Sequence, residues 1–190
     1  MKKRIPITQH CHNRIKQMIK NPALCIDATA GTGKDTVFLA SLAGEKGRVV
    51  AMDIQKMAVE QTRIRLEKEH LSERVEVVLD SHVHMDQYAK EESVSLIMFN
   101  LGYLPGGDHG LATRAETTIE ALEKGLNLLC EGGVISLLIY SGGDSGFDEK
   151  NQVLSWLRKL PDEKYTVLVE AFYNKPNNPP LPVYIIKNES

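Results

Sequence analysis

The sequence predicts an α/β fold: a seven-stranded, mostly parallel sheet that ends in an antiparallel strand and carries helices on both faces. Three observations lead there. Short β-branched runs alternate with helical patterns from Ala23 onward, as repeated βαβ units require. The last two runs are separated only by a link containing the Pro-rich stretch Pro176 to Pro182, too short for a parallel crossover, so that pair must be antiparallel. The 190 residues amount to one domain at roughly 100–200 residues per domain, expected to span 1–190 with a basic helical arm over 1–22.

In chain order, a leading helix is expected over 8–20, opened by a Thr8 cap. Strands follow at 23–28 (ALCIDA), 48–53 (RVVAMD), 74–79 (RVEVVL), 94–99 (VSLIMF), 134–140 (VISLLIY), 165–172 (YTVLVEAF) and 183–187 (VYIIK). Between them lie helices near 34–43, 56–69, 82–89, 113–129 and 148–159. Ala58, Val59 and Leu66 stand among Glu60, Gln61, Arg63 and Arg65, a one-sided stripe that should cover a sheet face.

With 42% apolar and 25% charged residues, the chain matches a soluble globule, not a disordered, collagenous or purely coiled-coil protein. Its longest nearly unbroken apolar run, Val134 to Tyr140, is far short of the roughly 20 residues that cross a bilayer, and no charged-then-apolar leader opens it. A cytoplasmic location and no membrane partner are expected. Cys11, Cys25 and Cys130 are odd in number and widely separated, so neither a disulfide framework nor a metal knuckle is indicated, and no metal is expected.

Charge is uneven. Residues 1–26 hold Lys2, Lys3, Arg4, Arg14, Lys16 and Lys20 without an acid, so this arm carries +6 and, with −2 for the chain, the remainder carries −8. Such a run is a solvated helix face or a surface that meets phosphates.

The first strand runs into Asp27-Ala28-Thr29-Ala30-Gly31-Thr32-Gly33-Lys34-Asp35 at the start of a helix. A phosphate-cradling loop would need glycine at 28 and Ser or Thr at 35, where Ala28 and Asp35 stand. A dinucleotide fingerprint would need a third glycine at 36, where Thr36 stands, and a diphosphate would be repelled by Asp27 and Asp35. The third reading is S-adenosylmethionine, a phosphate-free nucleoside with a cationic sulfonium and an amino acid tail, beside which acids are tolerated. Asp27 then lies near the ammonium or sulfonium. Asp53, 22 residues after Gly31, is placed to accept both ribose hydroxyls, or else to cap the helix that follows.

An acceptor would sit where the third and fourth strands end, at Asp80-Ser81-His82 and Asn100-Leu101-Gly102-Tyr103-Leu104-Pro105-Gly106-Gly107-Asp108, the edge where open α/β sheets bind ligands. The Asn100 amide oxygen could accept from an amine and Tyr103 could stack on a base, although Asn-x-Gly and Pro-Gly-Gly also form ordinary turns. Methyl transfer from a sulfonium mainly needs alignment and an uncharged amine. His82, His84 and Asp108 are candidates for taking a proton, or are structural hydrogen bonders.

These residues resemble a known family. The strand pattern is similar to Rossmann-like class I S-adenosylmethionine-dependent methyltransferases, and Asn100 to Tyr103 keeps the ends of the Asn-Pro-Pro-Tyr motif of amine-methylating members. The segments DATAGTGKDTVFLA, MDIQ with Thr62 following, SHVHM, FNLGYLPGGD and NPP resemble the bacterial family labelled "putative rRNA methylase", whose characterised members are tRNA 5-aminomethyl-2-thiouridine methyltransferases of the MnmM (YtqB) type. The resemblance implies methylation of the aminomethyl nitrogen on the wobble uridine of certain tRNAs. It places the donor against Asp27, Thr29, Gly31, Gly33, Asp53, Gln55, Ser81, His82, Asn100 and Gly102, with Asn100, Tyr103 and His82 in the catalytic role. Tyr103, Leu104, Pro105 and Gly106 would line the acceptor side, with Thr117 and Thr118 nearby. The family often has Asn in place of Thr32 and a histidine-rich turn in place of Tyr140-Ser141-Gly142-Gly143, so a role for that turn is not carried over.

A tRNA substrate also needs phosphate contacts beyond the modified base. Lys2, Lys3, Arg4 and Arg14, with Lys16 and Lys20, are expected to supply part of that surface, and a homodimer would combine two arms. The alternative functions are a small-molecule or rRNA methyltransferase on the same fold, and a nucleotide-binding module without chemistry.

Overall fold

The computed structural model describes residues 5–101, 115–140 and 146–189, with side chains described from 148 onward in the last segment. Alternation with a period of two explains the layering. In β1 (Leu24–Asp27) and β4 (Val94–Asn100), Cys25, Leu96 and Met98 face one side of the sheet while Ile26, Ile97 and Phe99 face the other. Both sets are buried, so the strands read as continuous apolar runs, the pattern of a sheet covered on two faces.

The first face is covered by α1 (Ile7–Met18), α2 (Lys34–Ala43) and α3 (Lys56–Lys68), through Ile15, Leu39, Ala40, Ala43 and Leu66. The second is covered by α4 (Ala115–Leu128) and α5 (Gly146–Leu157), through Ala121, Leu122, Leu126, Val153 and Leu157. With β2 (Arg48–Asp53), β3 (Val75–Leu79), β5 (Leu129–Ile139), β6 (Tyr165–Val169) and β7 (Leu181–Lys187), the strands form one sheet ordered β3-β2-β1-β4-β5-β7-β6. β7 is antiparallel to both neighbours and the other pairings are parallel. The seven strands, the direction of the last one and the helices on both faces are as the sequence predicts. No described helix is long and apolar enough to cross a membrane.

Three local expectations are corrected. Thr8 does not cap α1: the helix begins at Ile7 after Pro6, which has no side-chain cap bond. Proline, with its fixed φ and missing N–H, can open a helix without a capping hydroxyl. The helix expected over 82–89 is a 3-10 turn, His82–Gln87, started by Ser81, whose hydroxyl accepts from Val83 N–H, and anchored by buried Met85. Six residues with only His82 and Met85 buried on that turn suit this tighter form, which proteins use in short pieces. β5 begins at Leu129, not 134, because the strand runs through Gly132 and Gly133. Its register with β4 shifts between Val94 and Leu96, and Gly132 takes φ +70° there, as a bulge demands.

Order in the sheet positions the site. The strand sequence reverses between β1 and β4, and their carboxyl ends open a crevice. β2 ends beside β1 and β5 beside β4, so the glycine turn, Asp53, Asn100 and Tyr140 share one edge.

Candidate functional site

The glycine turn after β1 spends its donors on the protein. Thr29 N–H donates to Asp27 Oδ1 at 3.2 Å, Gly31 N–H to Asp53 Oδ2 at 2.9 Å, and Gly33 N–H to the Ala30 carbonyl at 2.7 Å. A phosphate cradle needs such groups free, and here a carboxylate already holds the Gly31 amide. Gly33 opens α2 with φ +75°, and a Cβ there would lie 3.0 Å from the Thr62 Cα. Left-handed backbone and close packing therefore both require glycine. The turn is fastened to α3 by Thr62 Oγ1 donating to the Gly31 carbonyl and by Arg65 Nε donating to the Thr32 carbonyl at 2.6 Å.

Asp53 links this turn to the next helix. Its Oδ1 accepts from Gln55 N–H at 2.9 Å, and Gln55 is the residue that caps α3. Asp53 is therefore not the cap of α3, whose N-cap Gln55 makes no side-chain cap bond; each Asp53 oxygen uses one lone pair on backbone and keeps one for a hydroxyl. Asp53 is partly exposed, so those lone pairs can be reached. The donor set thus fits a ribose without phosphates.

Asp27 is fully buried, and its Oδ2 accepts from Thr36 Oγ1 at 2.5 Å. Burial, reinforced by the neighbouring Asp35 carboxylate, raises its pKa to about 7. Its side chain braces the turn from below, which sequence spacing alone did not distinguish from direct ligand contact.

At the end of β4, Asn100 N–H donates to Thr29 Oγ1 at 2.8 Å and Asn100 Nδ2 donates to Asp35 Oδ2 at 3.1 Å. Asn100 Oδ1 is buried with no hydrogen-bond partner among the described residues. A small cavity is lined by Asn100 together with Thr8, Cys11 and His12 of α1, Asp35 and Ser136. Burial pushes the Cys11 thiol up to about 11, so it is not a nucleophile near neutral pH.

His82 lies after β3, buried, with its ring edge-on to Phe99 at 6.0 Å and its Nε2 without a hydrogen-bond partner among the described residues. Burial lowers its pKa, against the pull of Asp53 and Glu120, and so favours the neutral ring. Ser81 is half-buried and starts the 3-10 turn. His84 instead pairs with Asp80 at 2.7 Å on the surface, the structural role. Thr118 is fully buried, its hydroxyl donating to Glu149 Oε1 at 3.3 Å.

Thus the structure brings Asp27, Thr29, Gly31, Gly33, Asp53, Gln55, Ser81, His82 and Asn100 to one edge. Gly102, Tyr103, Leu104, Pro105, Gly106, Asp108, Lys2, Lys3, Arg4 and the turn 141–143 lie outside the described residues. Arg14 is engaged by Glu170, its Nε 2.8 Å from Oε1, and His10 Nε2 lies 2.6 Å from Oε2 of the same carboxylate. Lys16 and Lys20 are exposed. The sequence reading missed His12 as a site residue and considered Asp35 only as a charge that repels phosphate. Nothing in the local pattern marks a histidine 23 residues away as Asp35's partner, at 2.6 Å.

Known proteins resemble this chain in both sequence and fold. The profile of the family described as "Putative rRNA methylase" matches residues 49–186. A chloroplastic protein of Arabidopsis thaliana named tRNA (mnm(5)s(2)U34)-methyltransferase is 34% identical over 96% of this chain and 70% of its own length. A crystal structure described as a "putative rRNA-methylase" from Clostridium thermocellum superposes with a TM-score of 0.90 at 45% identity, covering 98% of this chain and all (100%) of that one. A crystal structure described as "a putative methyltransferase" from Streptococcus mutans, in complex with S-adenosylhomocysteine (SAH), gives a TM-score of 0.84 at 36% identity over 98% and 99% of the two chains. On the profile match and these full-length likenesses, the chain belongs to the "Putative rRNA methylase" family.

Proposed function

We propose that this protein transfers a methyl group from S-adenosylmethionine to the aminomethyl nitrogen of 5-aminomethyl-2-thiouridine at the wobble position of tRNA. One observation carries the reading: a buried, unpartnered amide oxygen on Asn100 stands at the strand end next to a glycine turn whose amides are taken by carboxylates and carbonyls. An unmet buried acceptor calls for a donor, and an amine N–H is that donor. The name of the Arabidopsis relative supports the same substrate, and the S-adenosylhomocysteine in the Streptococcus mutans structure supports the same cofactor.

Bound S-adenosylmethionine supplies a methyl group already activated on a sulfonium. The protein's part is to hold and align. Asp53 accepts the ribose hydroxyls while keeping its backbone bonds, and Gln55 continues that wall. Asp27, Thr29, Gly31 and Gly33 hold the turn against the donor's tail. Asn100 Oδ1 accepts one N–H of the incoming amine, which must arrive uncharged, and so aims its lone pair at the methyl carbon. Ser81 and the neutral ring of His82 border the base of the nucleoside. Tyr103, Leu104, Pro105, Gly106 and the donor-side Gly102 keep the roles their motif implies.

Lys2, Lys3, Arg4, Lys16 and Lys20 are the proposed phosphate contacts, with Arg14 shared with Glu170. A cytoplasmic site of action follows from the same reading, and a second subunit would add a second arm. Nucleoside mass spectrometry of tRNA from cells lacking the protein should show loss of the terminal methyl and accumulation of the aminomethyl precursor. An unchanged tRNA profile alongside an undermethylated ribosomal RNA would overturn the assignment.

A further inference from the structure

The Asn100 amide can lie in two orientations of nearly equal shape, related by a half-turn that exchanges oxygen and NH2. Shape does not choose between them; the hydrogen-bond partner does. That partner is Asp35 Oδ2, 3.1 Å from Nδ2. A carboxylate oxygen accepts, so it holds the NH2 on its own side and leaves Oδ1 as the open acceptor. Turned over, the amide would set oxygen against oxygen in a buried place, where such a clash is costly.

Asp35 is itself held. Its Oδ1 lies 2.6 Å from His12 Nε2, and the His12 ring stacks on Phe38 with centroids 3.9 Å apart and planes 2° from parallel. Asp35 belongs to the first turn of α2, His12 to α1, and Asn100 to the end of β4. All three line the same small cavity. We infer that Asp35 and His12 are positioning residues for methyl transfer: the carboxylate sets which face of the Asn100 amide the acceptor amine meets, and the histidine on the N-terminal arm holds that carboxylate in place. This rests on the amine-methylating reading above. It ties the arm to the reacting atoms through two hydrogen bonds.

The test uses the full chain. Asp35→Ala should lower kcat on undermodified tRNA about 10- to 100-fold, the cost expected when a reacting group is misaligned by a fraction of an ångström, with KM for tRNA and the affinity for SAH within about twofold. His12→Ala should lower kcat in the same direction, and His12→Gln, whose amide nitrogen can take the place of Nε2, should recover most of the rate. In the unliganded 15N-labelled protein, the Asn100 side-chain amide signal, identified by its loss in Asn100→Ala, should move in both Asp35→Ala and His12→Ala.

An active wild type with kcat unmoved in Asp35→Ala, an equal loss in His12→Gln and His12→Ala, or an amide signal that stays put would each overturn the inference. Should the wild type methylate no tRNA, the functional reading falls, and the amide signal alone decides whether this network holds Asn100. If Asp35→Ala does not fold, the two His12 variants carry the same comparison.

Discussion

Asp53 carries two backbone hydrogen bonds and offers its remaining lone pairs outward, so its removal should act on donor binding and on the turn together. Hydrogen bonds to a charged group contribute about 1.5–3 kcal/mol each, so Asp53→Ala, which would take away the two ribose hydrogen bonds proposed for it, should weaken S-adenosylmethionine binding at least a hundredfold. Calorimetry on the folded variant checks this, and an unchanged affinity would remove the carboxylate from the site. Asp27 makes a different prediction. Its pKa rises from 3.8 to about 7 in the folded state, so the folded protein binds the proton more tightly than the unfolded chain. The stability this contributes is full below about pH 4 and is lost as pH rises through about 7. Asn resembles the neutral acid and can still pair with Thr29 N–H and the Thr36 hydroxyl. Denaturant titrations at pH 5 and pH 8 should therefore show wild type losing stability relative to Asp27→Asn. Parallel curves would show that Asp27 does not titrate in this range.

Helix α1, within the basic arm, packs on the first face of the sheet. Ile15 is fully buried among Cys25, Leu96 and Tyr184, while His10 and Arg14 grip Glu170 just beyond β6. The engaged Arg14 has less charge to offer a phosphate than the exposed Lys16 and Lys20, a distinction invisible in a count of basic residues. Changing Lys2, Lys3, Arg4, Lys16 and Lys20 together to Ala should weaken tRNA binding and reduce the dependence of log K on log salt by roughly 0.7–0.9 for each phosphate no longer neutralised. Arg14→Ala alone should change that slope less and lower thermal stability instead. Filter binding over a series of salt concentrations, with SAH affinity as the control, measures both. An unaltered slope in the five-residue variant would return the arm to a solvated face. Boundaries set by packing were the part of the elements least visible in the sequence. The β5 bulge at Gly132 depends on its partner strand, and the 3-10 turn after Ser81 depends on where Met85 is buried.

The sheet order places the carboxyl ends of β3, β2, β1 and β4 side by side. That these segments are parallel strands was legible because each carries its own signal of paired apolar faces and each connection its own length, whereas their order was decided only by packing in the folded sheet. The antiparallel last strand was legible for the same reason, since a short proline-rich link admits no crossover. Asp53 and the glycine turn were legible because a fixed chain distance separates consecutive strand ends in a βαβ unit. The contact of His12 with Asp35 was not, because it joins a residue before the first strand to one after it, and only the docking of α1 on the sheet decides which side of that helix meets Asp35. Local residue order determined the layers, the strand directions and the acidic, phosphate-averse character of the turn, since these follow from periodicity, loop length and charge. Tertiary packing decided the burial that raises the Asp27 pKa, the pairing of Arg14 with Glu170 and the orientation of the Asn100 amide, because each depends on groups that only the folded chain brings within hydrogen-bond distance.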